Sequence, residues 1–272
     1  MTDLGATTAP VASTGTASTL LEFRGVSASY SSYRALFDVS FGVPERGIVA
    51  LLGSNGAGKS TVARVASGLV PVTGGTVHFS GRDITGMAAH KIAHDGVAHV
   101  PEGRGVFSSL TVDENLTLAF RQKVGRKGVP AACDRAYTAF PALVACRRQL
   151  GGTLSGGQQR MLSLARVLAV TPRLLIVDEL SLGLAPVVID SVYEGLLAIR
   201  DSGCALLVVE QQVDRALAIA DSAILLAHGS VAWTGAASGA SSAMEELLAS
   251  RQMTVSGDAA TNHSPSGVHT GA

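Results

Sequence analysis

"GIVALLGSNGAGKST", residues 47–61, passes from an apolar run through a glycine-rich turn to Lys-Ser-Thr. Its first half is continuous in Val, Ile and Leu rather than alternating, which marks a strand covered on both faces, as in a parallel sheet. Its second half, "GSNGAGKST" (53–61), fits Gly-x-x-x-x-Gly-Lys-[Ser/Thr] and leads into "TVARVASGLV", which reads as a helix. A strand before this pattern and a helix after it are the context that identifies a phosphate-binding loop. Gly53, Gly56 and Gly58 let the backbone curl until successive N–H groups, those of Ser54, Asn55 and Ala57 among them, point at phosphate oxygens. The following helix adds the positive end of its dipole. Lys59 reaches the β- and γ-phosphates, the Ser60 hydroxyl can ligate Mg²⁺, and Thr61 completes the expected nucleotide-binding run.

Two further runs are continuous apolar strands that end in polar side chains: "LLIVDE" (174–179) and "ALLVVEQ" (205–211). Between them, "APVVIDSVYEGLLAIRDSG" carries Val188, Val192, Leu196 and Ile199 at helical spacing, so the three pieces predict a βαβ unit. Ligands of such sheets collect at the carboxyl ends of the strands. Asp178 stands there to hold Mg²⁺, directly or through water, and Glu179 beside it can polarise an attacking water as general base. "LLEFRGVSASY", "RALFDVSFGV" and "TVHFSGRDIT" alternate apolar and polar residues and are expected as antiparallel strands against the edge of the parallel sheet. Residues 112–150 carry helical periodicity and no strand-like run, which predicts an inserted helical subdomain, about 105–158 with its flanks. The expected fold class is α/β: a P-loop NTPase core with a parallel sheet, an antiparallel β edge and that helical insertion. The chain shows no internal repeat.

The 272 residues, 47% of them hydrophobic, suffice for one large core, or one core with a small subdomain. Lys plus Arg balances Asp plus Glu at 21 each, and 4% aromatic content offers little for stacking on bases, so no nucleic-acid partner is expected. Cys133, Cys146 and Cys204 show no metal spacing, and an odd, sparse set fits a reducing compartment and small buried hydrophobes. No window approaches the ~18 uninterrupted apolar residues of a membrane span, and "MTDLGATTAPVASTGTASTL" lacks the basic and apolar blocks of a signal peptide. That Ala-, Thr- and Ser-rich start (1–19) and a similar end (251–272) are expected as disordered tails around a soluble folded unit of about 20–250.

"LSGGQQ" (154–159) narrows the class. It resembles the signature of ABC-type ATPases, and the order agrees: P-loop, signature roughly 95 residues on, acidic strand end about 20 later. The resemblance spans nearly the whole folded unit. It implies that the signature opens a helix whose Ser155, Gly156, Gly157 and Gln158 present hydroxyl and N–H groups to a γ-phosphate held in the P-loop of the opposite subunit. Two ATP molecules are then sandwiched in a head-to-tail dimer with a second ATPase subunit, identical or different. It also implies that Tyr30, in "SASYSSYRAL", stacks on adenine, with Tyr33 a nearby rival; such stacking contributes about 1 kcal/mol.

The same resemblance addresses "AHVPEGRGVF" (98–107), which alone reads as an exposed loop, an Arg-Gly element or part of a site. Most of the family has glutamine at the position of Glu102, touching Mg²⁺ and the attacking water and linking the site to membrane subunits. Gln211 stands where most have a histidine on the γ-phosphate, and Leu184 where many have an aspartate. Glutamine is no base near neutral pH, so Gln211 can only hydrogen-bond the phosphate and the base role falls to Glu179. Together "VPEGRGVFSSLTVDENL", "SLGLAP" and "VEQ" resemble the ATPases of branched-chain amino-acid importers. Leu180 departs from that branch by replacing a proline that would stiffen the turn.

The expected function is ATP hydrolysis with Mg²⁺ at the cytoplasmic face of the cell membrane. It would drive separate polytopic permease subunits, served by a substrate-binding protein, for branched-chain or related amino acids. Exporter ATPases for lipid or lipopolysaccharide are one alternative, disfavoured by the "PEGR" and "SLGLAP" wording. Non-transport ABC proteins acting on ribosomes or DNA are another, disfavoured by a single cassette without long coiled coils. Arg104 is open between phosphate contact, partner contact and solvated charge.

Overall fold

The computed structural model describes residues 18–102, 105–169, 171–247 and 249. Arg104 and nearly all of both expected tails lie outside the described residues. β1 (Thr19–Tyr30) and β2 (Tyr33–Pro44) form a hairpin, followed by β3 (Ile48–Leu52), α1 (Lys59–Ala66), β4 (Val72–Phe79) and β5 (Arg82–Asp83). α2 (Ala89–His94) leads to β6 (Val97–Val100), after which α3 (Val112–Ala139) and α4 (Gly156–Ala165) take over. β7 (Leu174–Asp178), α5 (Pro186–Asp201), β8 (Ala205–Glu210), α6 (Val213–Ile219), β9 (Ser222–Ala227) and β10 (Ser230–Ala236) complete the order.

The main sheet runs β10-β9-β3-β8-β7-β6, parallel from β9 to β6, with β10 antiparallel at one edge. The front strands do not extend it. They form a separate antiparallel sheet, β2-β1-β4-β5, whose β2 lies against the edge of the main sheet, where the Phe37 N–H donates to the Gly229 carbonyl oxygen at 2.8 Å and Ser230 Oγ donates to the Phe37 carbonyl oxygen at 3.1 Å. Burial holds this sheet in place: Leu21, Phe23, Val26, Leu36 and Val39 pack with α1 onto a face of the main sheet.

The continuous apolar runs have a direct structural cause. Leu174, Ile176, Leu207 and Val209 join α1 and the antiparallel sheet. Their neighbours Leu175, Val177, Leu206 and Val208 face α3, α4 and α5. A strand with apolar layers on both faces has no polar side to alternate with. A third, smaller cluster joins Ala50 and Leu52 of β3 to Leu225, Ala240, Ala243 and the chain's single tryptophan, Trp233. The helical segment opens cleanly, since Thr111 caps α3 in a reciprocal box with Glu114, and it breaks at Gly125.

Candidate active site

β3 is wholly buried and delivers the chain to the glycine-rich turn at its carboxyl end. The turn enters α1 through Gly58 at φ 102°, where a Cβ would lie 3.0 Å from the Ala35 carbonyl oxygen, so only glycine suits this entry. Lys59, 4% exposed, bends back over the turn and donates from Nζ to the carbonyl oxygens of Gly53 (3.0 Å) and Ser54 (3.2 Å). Its Nζ also lies 3.8 Å from Glu179 Oε1. One residue on, Ser60 Oγ donates to Asp178 Oδ1 over 3.2 Å. The loop after β3 and the acidic end of β7 therefore meet across the single strand, β8, that separates them in the sheet.

Tyr30, Tyr33, Gly56, Gly58, Lys59, Ser60, Thr61 and Glu179 line one cleft. Both tyrosines reach it, and a hydrogen bond from Arg64 Nη1 to the Tyr30 hydroxyl (3.3 Å) anchors Tyr30 to α1. Asn55 is exposed at the tip of the loop and Ala57 is buried beneath it, its N–H donating to Ser54 O at 3.1 Å. Gln211 is exposed and borders a neighbouring groove with Gly53 and Ser54.

Asp178 is 1% exposed, and burial pushes its carboxyl up to about 6. The Ser60 hydrogen bond and Arg64 hold it down, while the negative fields of Glu179 and Glu102 push it further up. A buried carboxylate beside two like charges is a place where a hard cation relieves electrostatic cost. The oxygens of Ser60, Asp178 and Glu102 suit Mg²⁺ in type. Among the described residues no three His, Cys, Asp or Glu side chains converge into a cage. Mg²⁺ keeps much of its shell for water and phosphate oxygens, so a sparse protein donor set fits it.

The sequence assigns no role to four residues at this site, although Ser181 lies in "SLGLAP" and Glu210 in "VEQ". Arg64, in the last turn of α1, lies in the fields of Asp178 and Glu102 as well as holding Tyr30. Arg160 of α4 is 8% exposed, and burial holds its guanidinium below the usual range while Glu102, Glu210, Asp178 and Glu179 act in the opposite direction. Glu210 and Ser181, 1% and 3% exposed, bind each other beside Glu179. An arginine two residues past "SGGQ" and a carboxylate ending an apolar strand were the available signals; neither said where its partners lay.

Ser155 caps α4, its Oγ accepting from the Gln158 N–H at 3.3 Å while its own N–H donates to Gln158 Oε1 at 3.0 Å. Ser155 and Gly156 are exposed. Gly157 packs on α5 so closely that a Cβ would lie 2.0 Å from Val188 Cγ1. None of Ser155, Gly156, Gly157 and Gln158 lines the cleft around Lys59 of the same chain.

A family model described as ABC transporter matches residues 36–181. The chain is 40% identical over 222 residues to a Pseudomonas aeruginosa protein described as the high-affinity branched-chain amino acid transport ATP-binding protein BraG, covering 80% of this chain and 94% of that one. It is 38% identical over 213 residues to an Archaeoglobus fulgidus protein described as the probable branched-chain amino acid transport ATP-binding protein LivF, covering 78% and 90%. A solved structure described as the ATP binding subunit of an ABC transporter shares its fold at a TM-score of 0.71 and 27% identity, covering 80% and 90%. The chain belongs to the ABC transporter family, as one of its ATPase subunits.

Proposed function

We propose that this chain hydrolyses ATP as the nucleotide-binding subunit of an importer for branched-chain or related amino acids. One observation supports the reading: Lys59 Nζ lies 3.8 Å from Glu179 Oε1 in one cleft, and Ser60 of that cleft lies 3.2 Å from the buried Asp178, so the proposed phosphate cradle, base and metal-side acid are adjacent. Loop N–H groups and Lys59 hold the phosphates, Tyr30 takes the adenine, and Gln211 hydrogen-bonds the γ-phosphate. Glu179 orients the attacking water and accepts its proton. Ser60, Asp178 and Glu102 would hold Mg²⁺, which when bound neutralises charge on the β- and γ-oxygens. The rate enhancement is positioning and electrostatics, with no covalent step at the protein.

The exposed Ser155 and Gly156 stand apart from the cleft of their own chain, which supports a head-to-tail pairing in which they complete the cleft of a second ATPase subunit. A groove between β6 and α3 includes Pro101 and Gly105, on either side of Glu102. Lys123 and His94 line it beside Arg166, which stacks on the Phe107 ring and donates to the Gly105 carbonyl oxygen, and Arg173, which pairs with Glu45 at 2.9 Å. We assign this groove to a permease segment that presents acidic side chains or a helix carboxyl end. Among the described residues no helix is long and apolar enough to cross a membrane. In this reading the chain attaches to the cytoplasmic face through the permease, and reaches the substrate-binding protein through it. Uptake of labelled leucine by a strain lacking this chain tests the cargo. Uptake should fall and return with the wild-type chain but not with Lys59→Ala. Unchanged uptake overturns the cargo assignment, and ribosomes or DNA co-purifying in place of a polytopic permease overturn transport.

A further inference from the structure

The turn that follows β7 puts the proposed base on a left-handed residue: Glu179 has φ 49°. A non-glycine residue persists in that region only when its surroundings over-determine it. The first restraint is the ladder itself, since the Glu179 N–H donates to Val209 O at 2.9 Å. The second comes from the last residue of β8. Glu210 Oε1 accepts the Ser181 N–H at 3.0 Å, and Oε2 accepts the Ser181 hydroxyl at 2.7 Å. Oε2 also accepts the N–H of Gln211 at 3.3 Å. Both partners are buried, Glu210 at 1% and Ser181 at 3% exposure, so water does not compete for these bonds. A buried carboxylate is tolerated only when its oxygens are satisfied and its charge is countered. The Ser181 and Gln211 bonds do the first, and Arg160, which lies in the field of Glu210 and of Glu179, serves the second.

We propose that Glu210 is a positioning residue for hydrolysis: through Ser181 it fixes the turn that aims Glu179 and sets that turn in register with Gln211. The inference rests on Glu179 being the base. It accounts for Leu180, whose side chain is buried at 1% exposure but has no ring to lock φ. The two-point grip on Ser181 provides the stiffness that a proline at 180 would otherwise bring. Because Glu210 is buried behind the Ser181 turn and does not line the cleft around Lys59, loosening it displaces the base without weakening nucleotide binding.

The test is steady-state hydrolysis by the reconstituted transporter, with nucleotide affinity read separately from a fluorescent ATP analogue. Ser181→Ala and Glu210→Gln should each lower kcat about tenfold and leave KM and analogue affinity within about twofold. Adding Leu180→Pro to Ser181→Ala should recover at least about threefold of the loss, and Ser181→Ala should cost nothing further on top of Glu179→Gln. Should Glu210→Gln fail to fold, Ser181→Ala decides alone, because it leaves the carboxylate in place. An unchanged kcat in Ser181→Ala, an affinity loss matching the kcat loss, or additivity with Glu179→Gln overturns the proposal. A slow Glu179→Gln beside a normal Ser181→Ala overturns this inference only. A Glu179→Gln variant at the wild-type rate overturns the base assignment and this inference with it.

Discussion

Replacing Glu179 by glutamine keeps its volume and removes its basicity, so the substitution isolates proton acceptance from packing. In a steady-state ATPase assay kcat should fall at least about 10²-fold, the lower range for loss of a general base, with KM for ATP little changed. Glu102 differs from Glu179 because it lies next to the proposed permease groove, with Pro101 and Gly105 in the groove wall. Glu102→Gln should keep ATP affinity within about threefold and change the ATP spent per leucine imported by at least about twofold, read in proteoliposomes. An unaltered ratio counts against a coupling role. At this scale the sequence was legible wherever chemistry is contiguous. The P-loop and the Asp178–Glu179 pair announce themselves because each occupies one short run at a strand end. Glu210 does not, since its meaning lies in Ser181, 29 positions away, and only the β7–β8 pairing brings them together.

Between elements, the tightest contact at the signature is Gly157 of α4 against Val188 of α5. Gly157→Ala forces the two helices apart or moves Val188, at a cost of about 1–3 kcal/mol, and Val188→Ala should recover part of it in denaturant melts. A second link joins β6 to the cap of α1: His99 Nδ1 lies 2.9 Å from Ser67 Oγ, and Nε2 is buried with no hydrogen-bond partner among the described residues. Burial first, and then the positive charge of Arg64, hold the His99 pKa down to about 4. The unfolded chain binds that proton near pH 6.5, so the folded state is favoured above that value and loses the advantage as pH falls toward about 4. Thermal or urea melts at pH 7 and pH 5 should show the wild type losing about 1 kcal/mol more than His99→Gln, after allowance for partial exposure. The parallel strands could be read from unbroken apolar runs because each is sandwiched. The partnering of the front strands could not. Alternation tells which face of β1 is buried, but its second neighbour is β4, about 50 residues on, and no local pattern names it.

For the molecule as a whole, the separation of Ser155 and Gly156 from the Lys59 cleft means that a single chain holds half of each proposed site. Glu179→Gln with ATP and Mg²⁺ should therefore elute as a dimer in size-exclusion chromatography, while Lys59→Ala under the same conditions should not. A dimer that forms equally well without nucleotide counts against ATP as the bridging ligand. The motif order alone could not show that the signature stands outside the P-loop cleft of its own chain, because linear spacing carries no information on which faces point together. The third core has a practical bearing on such experiments. Trp233 rests against the cluster containing Ala50 and Leu52, the strand that feeds the P-loop, and it is the only indole in 272 residues. Its emission spectrum is therefore a native optical gauge of that seam, free of interference from other indoles, and needs neither label nor mutation.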